Sequence, residues 1–368
     1  MSLSSFCSLP DRRKMYYWAG TFICIVGFLL FILLIHEYIF GDTRFIPSFV
    51  GGYCALFATF MSFFLILEHL TCFSDPECQP KVVRILFMVP LYALISWASL
   101  LAPGAAKYLN LIRDAYESYA IYAFFQLMIA QMGGIDTLYR ALMIEERPPI
   151  PQVFPFCNLE PIKVTPTFVQ NCRLCLFQFM IIKPLVTIIV AVLTAKNKMG
   201  NLTDVTKGYF WTSLVYNVSI SIAFMALLYF YKGLKEFMEG KNILMKFLCI
   251  KSVVFLSFWQ GMLFAILAAT NLLPTFSYWT REETPIALQD LLICVEMMFV
   301  SFTHRYCFGS DEYMVNSPVN SGIEEELLYD GMQFRATPAI RQSVRENLKY
   351  TLKQKDIWSD MKDIVRNR

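Results

Sequence analysis

Uncharged apolar runs of about the same length recur along the whole chain, separated by polar or proline-containing segments. A helix rising about 1.5 Å per residue needs about 20 such residues to cross the hydrocarbon core of a bilayer. Eight spanning helices are therefore predicted, at about 16–36, 45–68, 85–106, 115–138, 174–195, 208–232, 250–273 and 286–306. The expected fold is all-α, a polytopic membrane helical bundle over 16–308. Residues 1–15 precede it as a cytosolic N-terminus, and 309–368 follow as a cytosolic tail.

Arg12, Arg13 and Lys14 stand directly before the first run, as in a secretory signal, but the run is longer than a cleavable apolar region and reads as a retained signal anchor. With the N-terminus in the cytosol, the cytosolic segments before the tail carry fourteen Lys and Arg against seven in the outer loops. The positive-inside bias thus predicts that both termini are cytosolic. Of two glycosylation patterns, Asn217 falls inside the sixth span and Asn201 in an outer loop too short to be a good acceptor.

Two segments depart from the apolar pattern. Residues 145–170 hold Pro148, Pro149, Pro151, Pro155, Pro161 and Pro166, which forbid regular helix or strand and predict a partly extended cytosolic loop. In the tail, Ile340, Val344, Leu348 and Leu352 recur every fourth residue beside a stripe of Arg341, Arg345, Lys349 and Lys353. That pattern predicts a basic amphipathic helix over 338–366. Its basic stripe suits anionic lipid heads, and docking on the protein as an ordinary solvated helix is the other reading.

Composition agrees with the membrane class. Hydrophobic residues make up 56% of the 368, charged residues 17%, and mean hydropathy is +0.47. A net charge of +3 gives no argument for a nucleic-acid partner. The 11 cysteines are scattered and do not read as a disulfide framework, and His36, His69 and His304 lie too far apart for a zinc-type spacing. No phosphate-cradling Gly-rich loop, nucleophile elbow, HExxH or paired-aspartate motif occurs, so no catalytic residue, metal or cofactor is predicted and an enzyme is disfavoured. Gly51-Gly52 and Gly133-Gly134 read as close-packing or helix-end positions.

Ionisable residues inside spans are costly and usually face protein or a water-filled cavity, which makes them the informative positions. In "RDAYESYAIY" Arg113 and Glu117 are one turn apart, with Tyr116, Tyr119 and Tyr122 around them; an interfacial aromatic belt and a ligand site both fit. In "FQFMIIKPLV" Lys183 lies deep in its run, and Pro184 frees a carbonyl one turn earlier. Lys183 is expected to pair with Asp290 or Glu296, or with an anionic solute, rather than snorkel to the surface. Trp259 and Gln260 sit inside the seventh span, and with Lys183 and the two acids they predict a polar pocket among the C-terminal helices. Asp290 is near the outer end of the last span, where water is close; Glu296 is about two turns deeper and needs a partner. His304 is expected at the cytosolic interface.

The blocks "RILFMVPLYALISWASLL", "RDAYESYAIYAFF", "KPLVTII", "LLYFYKGLKE", "KFLCIKSVVFLSFWQ" and "ALQDLLICVEM" resemble, in order, the transmembrane protein 184 branch of the organic solute transporter alpha family. The extra first span resembles the C-type members of that branch. The resemblance implies a seven-span family core plus an extra N-terminal span, eight helices in all. It further implies membrane-lipid contacts, a single-span partner subunit or a homo-oligomer, and facilitative movement of bile acids and conjugated steroids. In the protein 184 branch, roles in growth control, signalling and trafficking are suggested as well. Relatives carry adjacent, lipid-modified cysteines after the fourth span; here only Cys157 stands in that loop.

Two functions are expected from this. In the first, a multi-pass protein of the plasma membrane or an endomembrane transports amphipathic organic anions, steroids or lipids. Lys183 neutralises the anion, Asp290, Glu296 and Gln260 orient it, Trp259 and other aromatics cover its apolar body, and Glu117 is a further candidate binding residue. The alternative is a non-transporting scaffold or receptor in signalling or vesicle trafficking, working through the proline-rich loop and the tail.

Overall fold

The computed structural model describes residues 46–144, 147–152, 160–196, 198, 206–238, 243–270, 272–273, 279–281, 283–315 and 344–352, with isolated helical positions between Gly20 and Ile35. Among the described residues there is no strand, only an isolated antiparallel bridge between Ile150 and Ile162. Five helices are long and apolar enough to cross a membrane: Ile46–Thr71, Gln79–Leu101, Pro166–Ala195, Gly208–Gly233 and Thr284–Tyr313. The chain divides into two compact units, residues 1–110 with 248–352, and residues 111–247 with 353–368.

The first unit is built on three mutually packed helices: α1 (Ile46–Thr71), α3 (Met88–Leu101) and α9 (Thr284–Cys307). Small residues let them approach. A Cβ on Gly52 would lie 2.7 Å from Trp97 Nε1, and one on Gly51 would lie 2.7 Å from Leu100. The Trp97 indole, held against that glycine, donates to the Ser48 carbonyl at 3.0 Å. The predicted third span is divided by Phe87 into α2 (Gln79–Leu86) and α3. Pro90 in the first turn of α3 fits a helix start, where no intrahelical N–H partner is needed.

At one end of this trio polar groups are buried together. Glu68, fully buried, accepts from the Ser310 hydroxyl at 2.7 Å and pairs with Arg305 at 3.1 Å. His69 Nε2 lies 2.8 Å from the Phe308 carbonyl, which satisfies one of the last carbonyls of α9. His304 is 1% exposed, with its ring against Phe308. The chain continues past α9 into a short helix α10 (Asp311–Val315), whose Tyr313 meets His69, and this turn covers the histidines.

The tail helix α11 (Val344–Leu352) docks on α2 and α1. Asn347 donates to the Leu70 carbonyl at 2.9 Å, and the Arg84 guanidinium donates to the Thr351 carbonyl at 3.0 and 3.1 Å. The docked face is therefore the polar one, Asn347 and Thr351, while Leu352 of the expected apolar stripe is 60% exposed. Free carbonyls at the end of α1 and an arginine beside the end of α11 explain the preference, because each helix end leaves four unpaired groups. The rest of the predicted 338–366 helix lies outside the described residues.

In the second unit, α6 (Pro166–Ala195) and α7 (Gly208–Gly233) run antiparallel: Leu193 abuts Gly208, Ser219 and Gln178 exchange hydrogen bonds at 2.9 and 3.0 Å, and Gly233 abuts Phe168. Thr165 caps α6 by accepting from the Phe168 N–H, so this helix starts eight residues before the predicted span. Against the pair lies α4 (Ala106–Gln131), joined through Tyr122–Phe177 and Phe125–Phe230 ring contacts. Every residue of α4 from Ala120 to Ile129 is buried, so protein covers this helix on all sides there. It ends at Gly133 and Gly134, both at φ 89, with the Gly134 N–H bonding back to Ile129. The new helix α5 (Ile135–Ile144) begins inside the predicted fourth span.

The described flanks of the proline-rich loop are pinned: Arg147 pairs with Glu236 and lies over the Phe237 ring, while Ile150 and Val164 pack on Gly233. Cys157 lies outside the described residues. Helix α8 (Ile243–Ala269) starts seven residues before its predicted span. Cys72 is disulfide-bonded, whereas Cys54, Cys78, Cys172, Cys175, Cys249, Cys294 and Cys307 are free.

Candidate functional site

Three helices of the second unit bring charge together inside apolar surroundings. Lys183 on α6 is 7% exposed, and its ammonium lies 3.7 Å above the Tyr216 ring of α7 and 3.9 Å from Asp114 of α4. Glu117, one turn further along α4, is 7% exposed, and Arg113 is 6% exposed. Two cations and two carboxylates make the cluster formally neutral, which is how a buried charged group is tolerated. Its contacts are loose, however. At 3.9 Å the Lys183–Asp114 contact is an ion pair and not a hydrogen bond. The Glu117 Oε1 is buried with no hydrogen-bond partner, and the Asp114 side chain is 40% exposed.

Pro184 sits in the interior of α6 directly after Lys183, so the helix lacks one internal N–H donor there. The outer faces of the same helices are apolar: Leu185, Ile188, Ile189, Trp211, Leu214 and Val218 are 45–61% exposed. Charge inside and apolar surface outside is the inverse of a water-soluble arrangement and the form required in lipid.

The remaining predicted residues lie in the first unit. Gln260 on α8 donates to Glu296 on α9, so the deep acid finds an amide of its own unit, while Gln260 Oε1 and Glu296 Oε2 keep no hydrogen-bond partner. Trp259 is 47% exposed beside Met262 and Leu263, on an apolar outer face of α8. Asp290, expected near water, is 1% exposed; α9 begins at Thr284 and turns this carboxylate inward. Asp114 and Tyr216 were missed in the sequence. Asp114 had a signal, since it adjoins Arg113 at the start of "RDAYESYAIY", but Tyr216 is one of 19 tyrosines and only the antiparallel register of α6 and α7 brings it to Lys183. Among the described residues no group of three or more His, Cys, Asp or Glu is arranged to hold a metal ion.

Long apolar helices with lipid-facing surfaces and buried charge define an integral membrane protein of helical type. A family model described as Organic solute transporter Ostalpha matches residues 47–313, and the chain belongs to that family. It is 30% identical over 314 residues to the Transmembrane protein 184 homolog of Dictyostelium discoideum. The alignment takes in 84% of this chain, which spans 60% of the length of that relative. No solved structure matches.

Proposed function

We propose that this protein carries amphipathic organic anions across a membrane, with conjugated steroids as the substrate class, and that the solute's anionic group binds at Lys183. The observation that carries the reading is the loosely held lysine: an ammonium 7% exposed, 3.9 Å from its carboxylate and 3.7 Å over an aromatic ring. An incoming sulfate or carboxylate takes the three N–H donors of Lys183. Asp114, 40% exposed, turns to solvent, where a carboxylate is well hydrated. A solute hydroxyl donates to the buried Glu117 Oε1, which lacks a hydrogen-bond partner. Tyr216, Tyr122 and Phe179 supply aromatic surface for the apolar body. The proposal includes the eight-span arrangement with both termini cytosolic, in the plasma membrane or an endomembrane, and a single-span partner or a second copy.

Radiolabelled steroid sulfate uptake into proteoliposomes tests this. Saturable uptake that Lys183→Gln abolishes supports it; no saturable uptake, or uptake untouched by Lys183→Gln, overturns it.

One observation favours a second reading, a scaffold acting through its tail: docked α11 turns Arg345, Lys349 and Leu352 outward, a face that suits an anionic lipid surface. Truncation after residue 315 separates the two, since a transporter keeps its flux and a tail-driven scaffold loses function.

A further inference from the structure

Helices α8 and α9 bring two distant cysteines together. Gly261 of α8 abuts Gln289 of α9, and Gln260 donates to Glu296, so positions rise along α8 as they fall along α9 and the pair is antiparallel. Cys249 stands eleven residues before Gln260, and Cys307 stands eleven residues after Glu296. Eleven residues are about three turns at 3.6 residues per turn, so each cysteine returns to the face its helix presents at the Gln260–Glu296 contact, and at a matching level. The side chains follow this register: Cys249 is 5% and Cys307 7% exposed, and the two thiols are in hydrogen-bond contact with each other. Both are free thiols. Cys294, another buried cysteine of α9, is engaged elsewhere, its thiol 3.8 Å from the Ala93 carbonyl of α3.

A disulfide needs its sulfurs at about 2.05 Å, and thiols already in contact across two helices are most of the way there. Cys307 is the last residue of α9 and adjoins Tyr306, which is 83% exposed, so the pair lies close to the surface. A peroxide is small and uncharged, which lets it reach thiols in apolar surroundings. We propose that Cys249 and Cys307 are a redox pair, which hydrogen peroxide converts to a disulfide that fastens α8 to α9. Peroxide oxidises one thiol to a sulfenic acid, releasing one water as its O–O bond breaks; the facing thiol then displaces the sulfenic oxygen as a second water, and the S–S bond forms. The two sulfurs together lose two electrons and two protons, which the peroxide takes up. A dithiol reductant returns them and is itself oxidised to a disulfide. This pair is separate from Lys183 and does not rest on the anion proposal.

The test uses the full chain in phosphatidylcholine nanodiscs, treated with hydrogen peroxide, then unfolded in N-ethylmaleimide, digested and read by mass spectrometry. A peptide linking Cys249 to Cys307 is expected, with a several-fold fall in maleimide labelling of both residues that dithiothreitol reverses. Cys249→Ser and Cys307→Ser should each abolish the linked peptide, and Cys294→Ser should leave it. Peroxide should also raise the midpoint of thermal unfolding by several degrees in the parent chain and in neither of the first two variants, because the bond closes a long loop. Where a serine variant does not fold, the linked peptide and its reversal in the parent chain decide alone. Unchanged labelling of Cys249 and Cys307 after peroxide, sulfinic acid at either in place of the link, or a link from either to a different cysteine overturns the proposal.

Discussion

Both units bury charge, and they do so differently. At the end of the α1/α3/α9 trio, Glu68 accepts from Ser310 at 2.7 Å, pairs with Arg305 at 3.1 Å, and is completely shielded. In the α4/α6/α7 cluster the central ion pair is 3.9 Å long, one partner is 40% exposed, and a buried carboxylate oxygen has no hydrogen-bond partner. Glu68 has both a hydroxyl donor and a cation from the protein itself, whereas Glu117 keeps an oxygen with no hydrogen-bond partner. Burial alone therefore does not separate a structural charge from one available to a ligand; the completeness of its contacts does.

That contrast can be broken first at Arg305. Arg305→Ala leaves Glu68 buried without its cation, and breaking a buried pair costs about 3–5 kcal/mol. Thermal unfolding of the full chain in detergent should show this as the largest loss of stability among single substitutions, and a change under about 1 kcal/mol would place the Glu68 cluster with ordinary surface pairs. Gly52→Val probes the same unit. The new side chain must displace Trp97 from its position 2.7 Å from the built Cβ, and overpacking of this kind costs about 1–3 kcal/mol.

The looser cluster should respond in the opposite sense. Lys183→Gln is expected to cost only about 1 kcal/mol of stability, because the pair it breaks is long and half open to solvent. The same substitution should reduce anion binding more than tenfold, as the loss of a charged hydrogen-bond donor does. A stability loss as large as that of Arg305→Ala would erase the distinction between the two regions.

Smaller effects sharpen the picture at the tail and the loop. Asn347→Ala removes one hydrogen bond to the Leu70 carbonyl, worth about 1 kcal/mol, and should speed proteolysis or amide exchange in 344–352 while the bundle's unfolding midpoint stays in place. Cys78 stands just before α2, outside the span; burial first and the charge of Asp75 second hold its thiol well above the ordinary cysteine range. Its thiolate is therefore scarce through neutral and mildly alkaline pH, and alkylation should lag far behind that of an exposed cysteine until the protein unfolds.

Much of the helical frame is legible without the structure, since apolar runs report contact with lipid or core directly. Gly208–Gly233 and Thr284–Cys307 fall within two residues of their predicted bounds. Misses occur where a local signal overrides hydropathy. Thr165 and Pro166 start α6 early, positive-φ glycines end α4 inside an apolar run, and Phe87 divides the third span. Site residues are less legible, because a lone charge in a span announces that it needs a partner without naming it. Lys183 and Glu117 stand out by cost, whereas Asp114 and Tyr216 are identified by helix register, and Asn347 and Thr351 by the orphaned carbonyls and arginine they meet.

The central claim is that Lys183 holds the anionic group of a solute. Equilibrium binding of a radiolabelled steroid sulfate to the full chain in nanodiscs, compared with Lys183→Gln and with Arg305→Ala measured below its unfolding temperature, tests it most directly. The account predicts saturable binding that Lys183→Gln weakens more than tenfold and Arg305→Ala leaves unchanged, as expected for the loss of one charged contact. Equal affinity in the parent chain and Lys183→Gln would contradict it.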